Sequence, residues 1–259
     1  MWSVLQGKSD PEFNTNVALD GSGDFNNISN AVNVAPNYSK QKYYIKIKAG
    51  TYNEHVFIGR EKTNIAFIGE DIRGDGFIAK HITFRNSAGQ TNGQAVAMKC
   101  SSSFSALYRC RFDAYQDTLY VQTGIQFYRE CEVFGTIDII FGDATVVFQN
   151  CGVYVYNPGK GHSNVITAQG RSSTKYVSGI SLHNCTIKAA NDLNPGVRTY
   201  LGRPWRPFST VVIMQSCLGD IVDPEGWHRW DNNTSTLATL YYGEYQNNGP
   251  GSNISKRVR

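Results

Sequence analysis

A weak pattern recurs along the chain: an apolar residue, one or two polar ones, then Asn or Cys, then apolar again. It appears as Ile82-Thr83-Phe84-Arg85-Asn86, Leu107-Tyr108-Arg109-Cys110, Phe127-Tyr128-Arg129-Glu130-Cys131, Phe148-Gln149-Asn150-Cys151, Leu182-His183-Asn184-Cys185 and Ile213-Met214-Gln215-Ser216-Cys217. Its end points fall 24, 21, 20, 34 and 32 residues apart. That is the spacing of stacked coils, some of which carry loop insertions. A β-sandwich would instead show hairpin turns every ~8–12 residues and strict alternation. The repeats are interleaved with short β-branched and aromatic runs such as Tyr43 to Ile47, Asn64 to Ile68, Phe77-Ile78 and Val146 to Phe148. Helical periodicity is confined to Ile28 to Val34, where Ile28, Ala31, Val32 and Ala35 share a face. The sequence therefore predicts an all-β, right-handed parallel β-helix with one short N-terminal helix, each coil advancing ~4.8 Å.

With 259 residues, 41% of them hydrophobic, the chain can bury one large core, and a single domain is expected over 14–259. Residues 1–13 are polar, lack an apolar signal core, and are expected to be a disordered leader outside the fold. No apolar run approaches the ~18 residues of a membrane span. The net charge of +4 is compatible with a polyanionic partner without specifying one. No dense Lys/Arg cluster is interleaved with aromatic residues, which argues against nucleic acid. We expect a monomer. The cysteines (100, 110, 131, 151, 185 and 217) show no CxxC pair, so neither a metal nor a redox centre is expected. With the Asn-x-Ser/Thr sequons at Asn27, Asn37, Asn184, Asn232, Asn233 and Asn253, they point to a secreted glycoprotein whose signal segment would lie upstream.

Stacking also bears on the thiols. One coil apart, Cys110 and Cys131 would satisfy the ~4.4–6.8 Å Cα separation of a disulfide, and Cys151 and Cys185 would do so across a looped-out coil. The alternative is a ladder of buried, reduced thiols. Spacing does not choose between them.

Three polar positions stand out. Gln94, Gln116 and Asp138 are each 22 residues apart and are expected to stack in one column, with Asp117 next to Gln116 and hence close to Asp138. Each is followed by apolar residues, a costly setting for a polar group unless partners are supplied. Two adjacent carboxylates cannot both ionise cheaply, so one is raised and one stays low. Such a pair combines a carboxylate nucleophile with a carboxylic acid. Tyr200-Leu201-Gly202-Arg203-Pro204-Trp205 offers a bidentate cation in Arg203 for the ionised member and a flat surface in Trp205 for a sugar ring.

The segments Gln94-Ala95-Val96-Ala97, Gln116-Asp117-Thr118-Leu119-Tyr120, Asp138-Ile139-Ile140-Phe141-Gly142 and Leu201-Gly202-Arg203-Pro204-Trp205 resemble the signature blocks of plant-type pectin methylesterases, in order and in spacing. Lys48-Ala49-Gly50-Thr51-Tyr52-Asn53-Glu54, Gly74-Asp75-Gly76-Phe77-Ile78-Ala79 and Leu240-Tyr241-Tyr242-Gly243-Glu244-Tyr245 extend the likeness from about Val17 to Val258. The resemblance implies hydrolysis of methyl esters on galacturonate in cell-wall pectin, without metal or organic cofactor. It implies Asp138 as nucleophile, Gln116 and Gln94 as oxyanion donors, Asp117 as acid then base, and Arg203 as the group that orients Asp138. Tyr120, Phe141, Trp205 and Trp230 would line the sugar groove. It further implies an extracellular location in the cell wall and a proteinaceous inhibitor as partner.

Two departures from the family pattern are expected to matter. About one coil is missing between Ile68-Gly69-Glu70 and Gly74-Asp75-Gly76, and with it a threonine that contacts substrate in the family. The chain also stops after Lys256-Arg257-Val258-Arg259, short of a segment that packs over the solenoid. These features leave a second reading open, a pectin-binding or inhibitor-binding homologue of reduced activity. A polygalacturonase or pectate lyase is disfavoured, because the Gly-His-Gly motif and an acidic calcium cluster are missing.

Overall fold

The computed structural model describes residues 12–68, 77–230 and 234–258. The block at 74–76, the proposed leader up to residue 11, and the sequons at Asn232 and Asn233 lie outside the described residues. The remaining strands form three sheets, of ten, six and five strands, in which every pairing between named strands is parallel. One coil contributes a strand to each sheet in turn, as in Ser105–Tyr108, Arg111–Asp113 and Leu119–Val121, followed by Ile125–Arg129, Glu132–Gly135 and Ile140–Gly142. This is the parallel β-helix that the repeat predicts.

Register explains the core. Leu107, Tyr128, Phe148, Leu182 and Ile213 are in-register partners on successive rungs of the ten-stranded sheet, and each is 0–1% exposed. Phe112, Val133, Val153, Ile187 and Leu218 form a matching column on the six-stranded sheet. Like side chains thus stack on like along the axis, and each rung hides the apolar face of its neighbours. Near the N-terminus the helix Ile28–Val34 buries Ala31 and Val32. Asn27 caps it, accepting from Asn30 N at 2.8 Å, and Glu54 accepts from Ile28 N at 2.6 Å and Ser29 N at 2.8 Å.

The recurring Cys or Asn motif proves to be a corner. Arg109, Glu130, Asn150, Asn184 and Gln215 each adopt φ between 50° and 56°, turning the chain from the ten-stranded sheet to the six-stranded one. Cys110, Cys131, Cys151, Cys185 and Ser216 follow them and point inward. Two ends of the sequence motif were misregistered. Asn86 belongs beyond strand Thr83–Arg85, whose Thr83 pairs with Arg111, so Ile82 is the true counterpart of Cys110. Cys217 pairs with Thr186, which leaves Ser216 in the cysteine column.

Of the two arrangements left open, the structure has the ladder and not the bridges Cys110–Cys131 and Cys151–Cys185: all six cysteines are free thiols, five of them buried. In-register parallel neighbours have Cβ atoms as far apart as the strands, ~4.8 Å, beyond the ~3.5–4.5 Å a bridge needs. The Cα criterion alone was too permissive. The thiols bond along the stack instead. Cys131 Sγ accepts from Cys110 N and Cys151 Sγ from Cys131 N, both at 3.4 Å, while Ser216 Oγ accepts from Cys185 N at 3.0 Å.

Around the short segment 69–76, itself outside the described residues, strand Ile65–Ile68 pairs directly with Ile78–Lys80. The ten-stranded sheet runs on through this point. Among the described residues the other two sheets begin at Thr83–Arg85 and Met98–Cys100. A wide cleft of about 3210 Å³ opens there, with Tyr52, Phe57, Phe84 and Lys99 among its lining residues.

Candidate active site

Asp117 and Asp138 each stand just before a strand of the five-stranded sheet, Leu119–Val121 and Ile140–Gly142. Both adopt left-handed backbone, φ 62° and 51°, a region that aspartate tolerates better than most residues. Thr118 fastens the corner, its hydroxyl donating to Phe134 O at 2.8 Å.

The register here corrects the single column expected from the even spacing. Gln94 pairs with Gln116, but Leu119 pairs with Ile140 and Asp117 N donates to Ile137 O at 2.9 Å. Asp138 therefore stacks on Asp117, and Gln116 lies beside Ile137. The extra residue is taken up at Ala97-Met98, whose two amides both point to Thr118 O, at 2.9 and 3.4 Å. A local bulge shifts the register by one, and a count of intervals cannot see it. Gln94 is exposed and Gln116 half-buried.

Arg203 follows strand Thr199–Gly202, and its amide donates to Thr167 O at 2.9 Å. Its side chain reaches back to Asp138, Nε to Oδ1 at 2.8 Å and Nη2 to Oδ2 at 2.7 Å. The Asp138 side chain is only 6% exposed. Burial, and then the charge of Asp138, push the Asp117 carboxyl up to about 7, while Arg203 acts the other way. The two acids thus differ in environment: one is clamped by a guanidinium, the other desolvated without such a clamp.

Aromatic side chains floor the groove. Tyr120 and Phe141 are in register and stacked, ring centroids 4.4 Å apart. Trp205 meets both edge-on, at 6.4 and 6.0 Å. Trp230 packs on the guanidinium, with Arg203 Cζ 4.1 Å from its ring centroid. The structure thus brings together Asp117, Asp138, Arg203, Tyr120, Phe141, Trp205 and Trp230, with Gln94 and Gln116 on the neighbouring column.

Sequence reasoning missed several neighbours. Lys99 lies 5.3 Å from the Tyr120 ring centroid and Arg206 at 5.3 Å from that of Trp205. Gly170 makes room for Trp205, since a Cβ there would lie 2.7 Å from Trp205 Cε3. Tyr242 shares a hydrogen bond with Ser209 at 2.9 Å, and burial, with Asp138 adding to it, raises its phenol well above the usual range. Only the Tyr241-Tyr242 block carried a signal for any of these. Among the described residues no cluster of His, Cys, Asp and Glu is arranged to hold a metal.

A family model described as pectinesterase matches residues 14–73 and 71–259. A probable pectinesterase/pectinesterase inhibitor 39 of Arabidopsis thaliana is 46% identical over 274 residues, covering 95% of this chain and 51% of its own length. Pectinesterase 2 of Citrus sinensis is 43% identical over 277 residues, covering 96% and 54%. The chain spans about half the length of these relatives. A solved structure of pectin methylesterase from carrot superposes with a TM-score of 0.92 at 43% identity, covering 97% of this chain and 88% of that one.

Proposed function

Because the chain belongs to the pectinesterase family, we propose that it hydrolyses methyl esters of galacturonate in pectin, releasing methanol through an acyl-enzyme. The observation that carries this reading is the pairing of a guanidinium-clamped Asp138 with a desolvated Asp117 beside it. Asp138 Oδ attacks the ester carbonyl. Gln116 and Gln94 donate to the oxyanion that develops. The tetrahedral intermediate collapses with cleavage of the bond to the methoxy oxygen, and Asp117 gives that oxygen its proton. The anhydride left on Asp138 is then opened by a water whose proton Asp117, now ionised, accepts. Collapse returns Asp138 as carboxylate and Asp117 as acid, and the galacturonic acid released gives its remaining proton to solvent. Arg203 holds Asp138 ionised and aimed.

Tyr120, Phe141, Trp205 and Trp230 would present ring faces and edges to the polymer. We extend the proposal to a secreted, glycosylated monomer of the cell wall. A proteinaceous pectinesterase inhibitor is the proposed partner, in keeping with the paired names of its relatives.

The test is methanol release from esterified pectin, compared between the native chain and Asp138→Asn. Release by the first and not by the second supports the esterase. Equal and negligible release from both would sink it and favour a pectin-binding homologue.

A further inference from the structure

A buried ion pair at the C-terminal end of the solenoid has no part in this chemistry. Arg257 Nε donates to Glu244 Oε1 at 2.7 Å and Nη2 to Oε2 at 3.1 Å, and both side chains are only 8% exposed. The same guanidinium donates to Gly251 O at 2.7 Å, Pro224 O at 3.1 Å and Asp223 O at 3.4 Å. Three segments therefore meet on one side chain: the edge strand Tyr241–Tyr245, the turn Pro250–Ser252 and the loop 223–226. Val258 N adds a bond to Glu225 O at 3.0 Å. Gly226, at φ +71°, lets the arginine stem pass; a Cβ there would overlap Arg257 Cδ.

The loop held in this way is the last rung beside the candidate site. Asp223 N donates to Thr199 O at 2.8 Å, Leu201 N to Gly226 O at 2.7 Å and His228 N to Gly202 O at 2.9 Å. These bonds continue the parallel pairing onto Thr199–Gly202, the strand that delivers Arg203. The same rung carries Trp227, packed on Tyr242 at 4.6 Å, and leads to Trp230 over Arg203. Stability alone does not call for an arginine at such a place, since apolar side chains of similar volume often serve a buried position as well. An apolar side chain cannot fix the direction of carbonyls from two segments at once, which the planar guanidinium does.

We propose that Arg257 is a positioning residue: it staples loop 223–226 to the strand of Glu244, which keeps Trp230 over Arg203 and Arg203 square on Asp138. The proposal rests on the esterase reading of the site.

Two variants of the full chain separate positioning from mere stability. Arg257→Met strands Glu244 as a buried, unpaired charge and lowers the melting temperature. The double variant Glu244→Leu/Arg257→Met removes both charges and recovers much of that loss, yet still lacks the staple. Measured well below its melting temperature, the double variant is expected to lose about 10- to 100-fold in kcat, with KM rising by no more than the about 2- to 10-fold of one displaced aromatic, Trp230. The Leu201 and His228 amides should exchange hydrogen at least about tenfold faster. Native kcat in the folded double variant, or native exchange at both amides, overturns the proposal. If the double variant does not fold, Arg257→Lys takes its place with the same expectations, since lysine keeps the charge but lacks the fork. A native chain that releases no methanol sinks the esterase reading separately; the exchange rates still report whether Arg257 holds the loop.

Discussion

Arg203 closes on Asp138 through two parallel hydrogen bonds, 2.8 and 2.7 Å long, made across 65 residues of sequence. The fork fixes both oxygens of one carboxylate and leaves the other acid, Asp117, without that clamp. Arg203→Lys keeps the charge and loses the planar fork. We expect methanol release to fall about 100-fold through misalignment of the nucleophile. Loss of less than about threefold would mean that charge alone suffices.

Asp117 should set the alkaline side of the pH profile. In the proposed mechanism its carboxyl, raised to about 7 by burial and by Asp138, is protonated when it releases methanol. kcat/KM is therefore expected to fall as pH rises through about 7. Asp117→Asn should lower kcat about 10²- to 10⁴-fold. A profile flat from about pH 6 to pH 9 contradicts the assignment.

The same shift has a consequence for stability. The folded carboxyl stands above its ordinary 3.8, so between these values the fold binds a proton that the unfolded chain releases. This contribution is full below about pH 4 and is lost as pH rises through about 7. Asp117→Asn should therefore raise the melting temperature more at about pH 8 than at about pH 4. The reverse order, seen by calorimetry, would contradict a raised Asp117.

Gly170→Ala tests the groove floor. The added methyl would sit 2.7 Å from Trp205 Cε3 and must displace the indole. A lost aromatic contact of roughly 0.5–1.5 kcal/mol corresponds to a KM increase of about 2- to 10-fold, with kcat little changed. An unchanged KM would remove Trp205 from the substrate contacts.

Thiol titration tests the ladder. Cys217 is exposed and the other five cysteines are buried, so the native protein should show one fast thiol and the denatured, unreduced protein six. Four thiols missing after denaturation would restore the two bridges.

The family blocks and the repeat were legible because each rests on a local rule. Stacked coils must present similar side chains at similar intervals, so the corner motif betrayed the solenoid even with two ends misregistered. Carboxylates beside apolar runs marked Asp117 and Asp138, and Arg203 with Trp205 stood out in the same block. What intervals could not carry was the rung-to-rung step. The bulge at Ala97-Met98 lets Gln94 pair with Gln116, whereas on the next rung Leu119 pairs with Ile140 and sets Asp138 on Asp117; only the hydrogen-bond register records the difference. The thiols make the same point, since Cα spacing allowed bridges that parallel Cβ vectors forbid.

By itself, then, the sequence determined the architecture and the two acids with their guanidinium partner, because periodicity and residue chemistry are properties of the chain. Tertiary structure decided which acid lies over which, how far each is desolvated, and what surrounds them: Gly170 beneath Trp205, Tyr242 near Asp138, and Arg257 behind the last rung. Those contacts join residues on different rungs, or depend on volumes left open, and neither leaves a local trace. Asp117 is raised because burial and a neighbouring charge meet there, and both are created only when the coils stack.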